Sequence, residues 1–426
     1  MNESSVRATP ASGEQGLSFE EIVRAGPGTV TGRYLRSFWQ PVYHSVDIAP
    51  GEAKPLRLMN EGFTIYRGAT GTPHLVARNC PHRGMQLSAG VVEGDAIRCF
   101  YHGWKFESTG QCIEQPAEES RFANKICIKS YAVREYLGLI FAYLGEGEPP
   151  EFPRYEEFEH FDGLLQTDSY VRDCNFYQNL ENSLDQSHIA YVHGATAASF
   201  GQILGRALRA QESEWGLTYT YTRQDGEAFV LQFGMPNIAD LATLPRDSES
   251  GFQKSLHWYV PINDVSHIQF TIRRVPVKEE AARRIHERGE ARRREIDLPH
   301  QRVAEDILAG RLRMAAVNPK RCDMVRLQDD VSQVGQRRIA DRSLEHPGSG
   351  DVGVAMVRRL WRRELLAVAK GRPRKTWKRP SGMRSSIWGM NAATSEDAAT
   401  VNPRIVDIRP FVEVDVQMQV LGSPMP

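Results

Sequence analysis

Short alternating runs of apolar and polar residues fill the first third of the chain, and longer helical spacings appear only later. From Trp39 to about Leu144, runs such as Phe63-Thr64-Ile65-Tyr66 and Leu139-Ile140-Phe141-Ala142-Tyr143 are separated by Gly, Pro and Asn, which predicts a small antiparallel β domain. Ahead of it, residues 19–25 predict a helix with Ser18 as N-cap, stopped by Gly26-Pro27-Gly28. Beyond it, residues 175–193 predict a helix, and 217–222, 229–233, 255–260 and 267–275 predict strands. Val357, Leu360, Trp361, Leu365 and Val368 form the stripe of an amphipathic helix over 354–368. The order helix, strands, helices predicts an α+β second domain and not a doubly wound sheet. The Pro-, Gly- and acid-rich segment 145–163 predicts a linker. The division is a flexible 1–16, a β domain with a helical lead-in at 17–155, and a second domain at 156–426. Charge-dense residues 278–313 predict a solvated helix or a long surface excursion.

Charge excludes some functions. Lys plus Arg equals Asp plus Glu at 53 each in 426 residues, so no whole-protein field draws nucleic acid or anionic membrane. The most apolar stretch, 136–144, falls far short of the ~20 residues that span a bilayer, and the start of the chain is polar without a secretory core. A cytoplasmic protein is expected, in which six cysteines stay as thiols.

Four of the chain's Cys and His residues fall into a pattern. Cys80 and His82 make a C-x-H unit, Cys99 and His102 a C-x-x-H unit, and sixteen residues lie between His82 and Cys99. Two thiolates and two imidazoles on paired loops suit either a zinc ion or an iron–sulfur cluster. Zinc fingers pair C-x-x-C with H-x-x-x-H, one residue type per unit. Here each loop offers one of each, as a [2Fe–2S] centre requires when one iron takes both sulfurs and the other both nitrogens. Cys112, Cys127, Cys174 and Cys322 lack such spacing and are read as buried thiols.

A second group lies at 181–194. Asn182, Asp185 and His188 are three apart, and Glu181 precedes Asp185 by one turn, so at about 100° per residue they share a helix face. His193 follows His188 by five residues, roughly 140° around an ideal helix, so both rings reach one metal only if the helix ends or widens there; Gly194 permits an ending. The plain alternative is a helix with two exposed histidines and an internal acid. Beside a redox cluster, two imidazoles and a carboxylate suit Fe(II) held from one side, with positions left for dioxygen. The carboxylate need not lie on this helix, and Asn182 sits beside the ligands.

CPHRG at 80–84 and CFYHGW at 99–104 resemble the cluster loops of Rieske proteins. E-x-x-x-D-x-x-H-x-x-x-x-H at 181–193 closely resembles the mononuclear-iron motif of Rieske non-haem iron ring-hydroxylating oxygenases. LQDDVSQVGQRRI at 327–339, with DRSLEHPGSGDVGV after Ala340, is similar to the phthalate-dioxygenase-like branch, in which a Q-D pair begins a helix and the Asp is the third ligand. By that register the ligand is Asp329, and Asp330 is read as a solvent-facing neighbour. The branch commonly has Gly after the motif's final Gln; here Gln336 is followed by Arg337, so a different local turn is expected.

The resemblance implies a Rieske [2Fe–2S] cluster on Cys80, His82, Cys99 and His102, mononuclear Fe(II) on His188, His193 and Asp329, and a helix-grip-like catalytic domain. It also implies a homotrimer or dimer of trimers, electrons from a separate NAD(P)H-dependent flavin/[2Fe–2S] reductase, and Asp185 as an electron-transfer bridge between subunits. Gly84, Tyr101 and Trp104 stand where high-potential relatives carry extra Cys and Ser, which implies a potential near the low end, about −150 mV. The implied activity is O2-dependent oxygenation of an aromatic substrate, with dihydroxylation of an aromatic acid or aryl ether in front. Monooxygenation with O- or N-demethylation is the alternative, and a Rieske electron carrier is the alternative of a different class.

Overall fold

The computed structural model describes residues 16–119, 122–161, 163–194, 207–222, 228–243, 253–275, 277, 279–381, 383 and 404–407. The chain enters through helices α1 (Phe19–Val23) and α2 (Val30–Arg36). At α1, Ser18 Oγ accepts from the Glu21 N–H while Glu21 accepts from the Ser18 N–H, a reciprocal cap of two otherwise unmatched donors. Residues 1–15 of the anticipated flexible start lie outside the described residues.

Ten strands build the first domain: β1 (Trp39–His44), β2 (Ala53–Leu58), β3 (Glu61–Arg67), β4 (Pro73–Ala77), β5 (Val91–Glu93), β6 (Ala96–Arg98), β7 (Lys105–Phe106), β8 (Cys112–Glu114), β9 (Ser130–Tyr136) and β10 (Leu139–Tyr143). They pair antiparallel in two sheets, of order β1-β10-β9-β4-β3-β2 and β5-β6-β7-β8. The smaller sheet is inserted between β4 and β9, with one Cys/His loop before it and the other between β6 and β7.

After α3 (Glu156–Glu159) come β11 (Leu164–Arg172), α4 (Phe176–Asn182) and α5 (Ser187–Val192). Then follow β12 (Ala207–Glu212), β13 (Gly216–Thr222), β14 (Ala228–Gly234), β15 (Ile238–Thr243), β16 (Gln253–Asn263) and β17 (Ser266–Val275). Helices α6 (Glu279–Arg294), α7 (His300–Leu308), α8 (Met324–Val334) and α9 (Val352–Ala369) follow, and β18 (Arg404–Asp407) returns to the sheet edge. The order is β12-β13-β14-β15-β16-β17-β11-β18, antiparallel except where β18 runs parallel to β11. This is the α+β arrangement the pattern predicts.

Register gives the large sheet two distinct faces. Asp168, Tyr170 and Arg172 of β11 lie opposite Thr271, Gln269 and His267 of β17, and Thr271 and Gln269 in turn lie opposite His257 and Tyr259 of β16. This inner face is polar and is covered by α4, α7 and α8. On the outer face, Trp258 meets Phe141 of the first domain at 5.6 Å between ring centroids, and Phe270 meets His44 at 5.6 Å. The Met59 N–H also donates to the Pro261 carbonyl at 2.8 Å. One apolar core therefore runs from Ile22 and Leu35 through Phe141 and Trp258 to Trp361.

Three local expectations change. Residues 175–193 form two helices, α4 and α5, broken at 183–186. The segment 145–163 is packed and is no loose tether, since Tyr155, Phe158 and Phe161 are buried in the common core. Nor is 278–313 only solvated: Ile285, His300, Val303 and Ala304 are buried. β11, β12 and β15 are strands the sequence pattern did not mark. Among the described residues, no helix is long and apolar enough to cross a membrane.

Trp361 of α9 is fully buried, donates its indole N–H to the Pro236 carbonyl at 3.0 Å, and packs edge-on to Tyr34 and Tyr177. Trp361→Ala is expected to remove about 3–5 kcal/mol of stability through the cavity it leaves. Trp361→Phe, which strands the carbonyl and leaves a smaller cavity, is expected to remove less, about 1–3 kcal/mol. Urea titration read by far-ultraviolet circular dichroism checks both.

Candidate metal centres

The two Cys/His loops are one turn built twice. The Cys80 N–H donates to the Met85 carbonyl at 2.8 Å and the Gly84 N–H returns to the Cys80 carbonyl at 3.0 Å. In the second loop the Cys99 N–H donates to the Trp104 carbonyl at 2.8 Å and the Gly103 N–H to the Cys99 carbonyl at 3.1 Å. Gly84 and Gly103 close these turns with φ of 74° and 73°, a backbone region that penalises a side chain. Arg98 steadies the second loop, donating to the Gly103 carbonyl at 2.8 Å while Glu93 and Glu114 hold its guanidinium.

The loops bring together all four predicted residues. Cys80 and Cys99 are buried, and the His82 and His102 rings lie 4.4 Å apart. Trp104 stacks on His82 at 4.6 Å with planes 5° apart, and Tyr101 lies 3.8 Å from His102. Burial, with Cys99 beside it, pushes the Cys80 thiol up to about 12. Metal ligation takes the thiolate, so a metal bound there would displace the thiol proton. His82 Nδ1 is buried with no hydrogen-bond partner. Two enclosed thiols and two adjacent imidazoles, one with an orphaned nitrogen, fit a [2Fe–2S] cluster.

The second group centres on α5, which carries His188 and stops at Val192; His193 is its C-cap, still near the helical region at φ −104° and ψ −4°, with its N–H donating to the Ile189 carbonyl at 3.2 Å. The rings stand 5.3 Å apart at 78°. Across from them α8 carries Asp329, whose Oδ1 lies 3.3 Å from His193 Nε2 and 3.9 Å from His188 Nε2. Ligand atoms of these three residues all lie within 4.8 Å of one another.

Neighbours fix each imidazole. His193 Nδ1–H donates to Gln328 Oε1 at 2.9 Å and His188 Nδ1–H to the Asp185 carbonyl at 2.5 Å, leaving both Nε2 atoms facing the gap. Asn182 Nδ2 lies 3.2 Å from Asp329 Oδ1 and 3.4 Å from His188 Nε2. Burial alone would raise the Asp329 carboxyl, but the His193 hydrogen bond and the Arg172 charge hold it at about 2. A carboxylate with two neutral-capable imidazoles fits a divalent iron held from one side. Asp185 Oδ1 accepts from the Ser187 N–H at 2.8 Å at the start of α5, and its other oxygen is 3.9 Å from His188 Nδ1.

Three sequence readings are corrected. Asp330 does not face solvent: it is 1% exposed and held between Arg172 Nε at 2.7 Å and His300 Nδ1 at 2.5 Å. The Gln328-Asp329 pair sits in the middle of α8, four residues past its start, because Met324 and Leu327 already pack inward. Cys127 is exposed and Cys322 partly so, unlike buried Cys112 and Cys174. Arg337 takes φ 80°, a left-handed backbone conformation that glycine adopts more readily. Glu181 is bound by Arg342 and Arg358 and so anchors α4 without reaching the gap.

Gln328 and Arg172 escaped the sequence reading. Gln328 carried a signal, since it precedes Asp329 in the motif; Arg172, at the end of a strand 157 residues before Asp329, carried none.

Residues 38–134 match the Rieske [2Fe-2S] domain family, and residues 172–288 match the vanillate O-demethylase oxygenase C-terminal domain. The chain is 32% identical over 381 residues to the tert-butanol monooxygenase / tert-amyl alcohol desaturase oxygenase subunit of Aquincola tertiaricarbonis, covering 83% of this chain and 77% of that one. It is 29% identical over 381 residues to the 5,5'-dehydrodivanillate O-demethylase oxygenase subunit of a Sphingobium species, covering 86% and 84%. In fold it is similar to the terminal oxygenase of carbazole 1,9a-dioxygenase from Nocardioides aromaticivorans IC177, with TM-score 0.56, 19% identity, and coverage of 82% and 100%.

The polar sheet face beside the triad also sets a pH dependence. Burial, then Arg273 for His257 and Arg172 for His267, holds both imidazoles down at about 3. Each is neutral in the fold, and His267 donates to the Cys174 carbonyl at 2.7 Å. Between about 6.5 and 3 the unfolded chain binds the extra protons, so stability falls as pH falls, by up to about 1.4 kcal/mol per unit for each histidine. Urea titrations from pH 8 to about pH 5 should show this fall, and His257→Gln/His267→Gln should flatten it.

Proposed function

The chain belongs to the Rieske non-haem iron oxygenases, and we propose that it is the terminal oxygenase of an aromatic-degrading system, carrying out O2-dependent monooxygenation, with O-demethylation of an aryl ether in front and ring dihydroxylation second. The second domain's match to an oxygenase domain sets aside the electron-carrier alternative. Demethylation moves ahead of dihydroxylation because that match is to a vanillate O-demethylase domain and a relative aligned over 86% of the chain is an O-demethylase. The observation that carries the reading is the convergence of His188, His193 and Asp329 from two helices upon one point.

In this reading Cys80, Cys99, His82 and His102 hold the cluster, and His188 Nε2, His193 Nε2 and Asp329 Oδ1 hold the mononuclear iron. When bound, these groups supply single electrons and activation of dioxygen. The chain's own residues orient and shield. Gln328 and the Asp185 carbonyl fix both imidazole tautomers, and Asn182 stands beside Asp329 Oδ1 as a donor. Tyr170, Gln269 and His257 on the inner sheet face satisfy one another, so the wall beside the triad is polar yet neutral at His257.

The electron route belongs to the proposal too. Around the first centre Phe100 and Tyr101 are 72% and 54% exposed, and above the second Tyr191 is 77% exposed, which supports contact between copies in a homotrimer. Asp185 is 31% exposed in its side chain, and with Oδ1 taken by the Ser187 N–H it is Oδ2 that would reach His102 of the partner subunit while its carbonyl holds His188. Electrons enter from a separate reductase.

Purified chain with a surrogate NADH-dependent reductase should consume O2 and release a demethylated product and formaldehyde from a methoxylated aromatic acid. Asp329→Ala should keep the cluster's visible spectrum and lose mononuclear iron and product. Asp330→Ala should instead lose about 3–5 kcal/mol of stability, because it strands a buried Arg172 charge. A product bearing two added oxygens would favour dihydroxylation, and undiminished turnover by Asp329→Ala would remove the site assignment.

Asp185→Asn should leave iron content and cluster spectrum unchanged while slowing oxidation of the pre-reduced cluster in a single turnover by at least about tenfold, near 1.4 kcal/mol of barrier. A wild-type rate would mean that Asp185 only begins α5.

A further inference from the structure

Asp329 and Asp330 are adjacent on α8, yet only one faces the histidines, and the difference lies in one buried side chain. Arg172, the last residue of β11, is fully buried. Its Nε donates to Asp330 Oδ1 at 2.7 Å, and its Nη2 donates to the Tyr170 hydroxyl at 3.2 Å while lying 3.8 Å from Asp329 Oδ2. Asp330 is pinned from the far side by His300 of α7 at 2.5 Å. The guanidinium is thus fixed by two elements before Asp329 is considered.

Asp329's two oxygens are sorted by this arrangement. Oδ1 faces His193 Nε2 at 3.3 Å and Asn182 Nδ2 at 3.2 Å, whereas Oδ2 faces Arg172. We propose that Arg172 is a positioning residue that keeps Asp329 a one-oxygen ligand, so that one more position stays open for dioxygen or substrate. A two-oxygen clamp requires Oδ2 to swing away from a fixed cation in a buried site, where the attraction is weakly screened. Asp330 has the complementary role. By taking Nε it stops Arg172 from forming a forked pair with Asp329, which would withdraw that carboxylate from the metal altogether. The inference rests on Asp329 being the third ligand.

The test uses the holoenzyme with its cluster oxidised, and reads the electron paramagnetic resonance of the nitric oxide adduct of the ferrous mononuclear site, whose rhombicity follows the number and arrangement of ligands. Arg172→Lys keeps a charge but cannot span both acids, and Arg172→Gln/Asp330→Asn removes the pair as a neutral unit. Both are expected to retain mononuclear iron and to shift the rhombicity, while Asp330→Asn alone, whose amide oxygen still accepts from Arg172 Nε and so leaves Nη2 facing Asp329, changes thermal stability without that shift. An unshifted signal in whichever Arg172 variant folds overturns the proposal, as does an equal shift in Asp330→Asn. If Asp329→Ala retains its iron, the ligand assignment fails instead, so the two failures are distinguishable.

Discussion

A strand buried on both faces must satisfy its polar residues inside the protein, and β11 is such a strand. All nine of its residues are buried. One face joins the core shared by the two domains; the other presents Asp168, Tyr170 and Arg172. Asp168 pairs with Arg326 and Arg172 with Asp330, two ion pairs to α8 that bracket Asp329 in sequence. A buried pair adds little net stability, but losing one partner is strongly unfavourable, so such pairs act as registry pins. α8 is held against β11 in one rotation, and Asp329 is thereby aimed at α5. Position and chemistry follow from the same two contacts.

The opposite wall of the site is made by an interruption. Between α4 and α5 the chain leaves the helix, and Asp185 then serves twice, its carboxylate accepting the Ser187 N–H and its carbonyl accepting His188 Nδ1–H. His193 closes α5 as its C-cap, and its ring stands 5.3 Å from that of His188, so five residues of spacing meet at one point.

What the sequence displayed of this site is what chain-local geometry can encode. Cys80 with His82, Cys99 with His102, and His188 with His193 are close in sequence because each set sits on one loop or one turn. Asp329 was legible through its resemblance to a known branch, with Gln328 next to it. Arg172 was not, since its partners lie far along the chain and its position at the end of a polar-looking strand, LLQTDSYVR, gave no periodic signal; two of that strand's inward residues, Asp168 and Arg172, are charged and matched only in three dimensions. Asp330 was misjudged for the same reason. The linker reading followed composition, whereas Tyr155, Phe158 and Phe161 place the segment in the core, as their aromatic size would suggest against the prolines around them.

The core that passes unbroken from Phe141 to Trp258 also bears on timing. A redox domain on a loose tether must diffuse and dock for each electron, so its rate contains a conformational search. Here the two halves of the chain are packed as one body, with the His44 to Phe270 contact as a second fastening. A cluster held by the first domain and an iron held by the second would therefore keep a fixed separation within the chain, with no docking search between them.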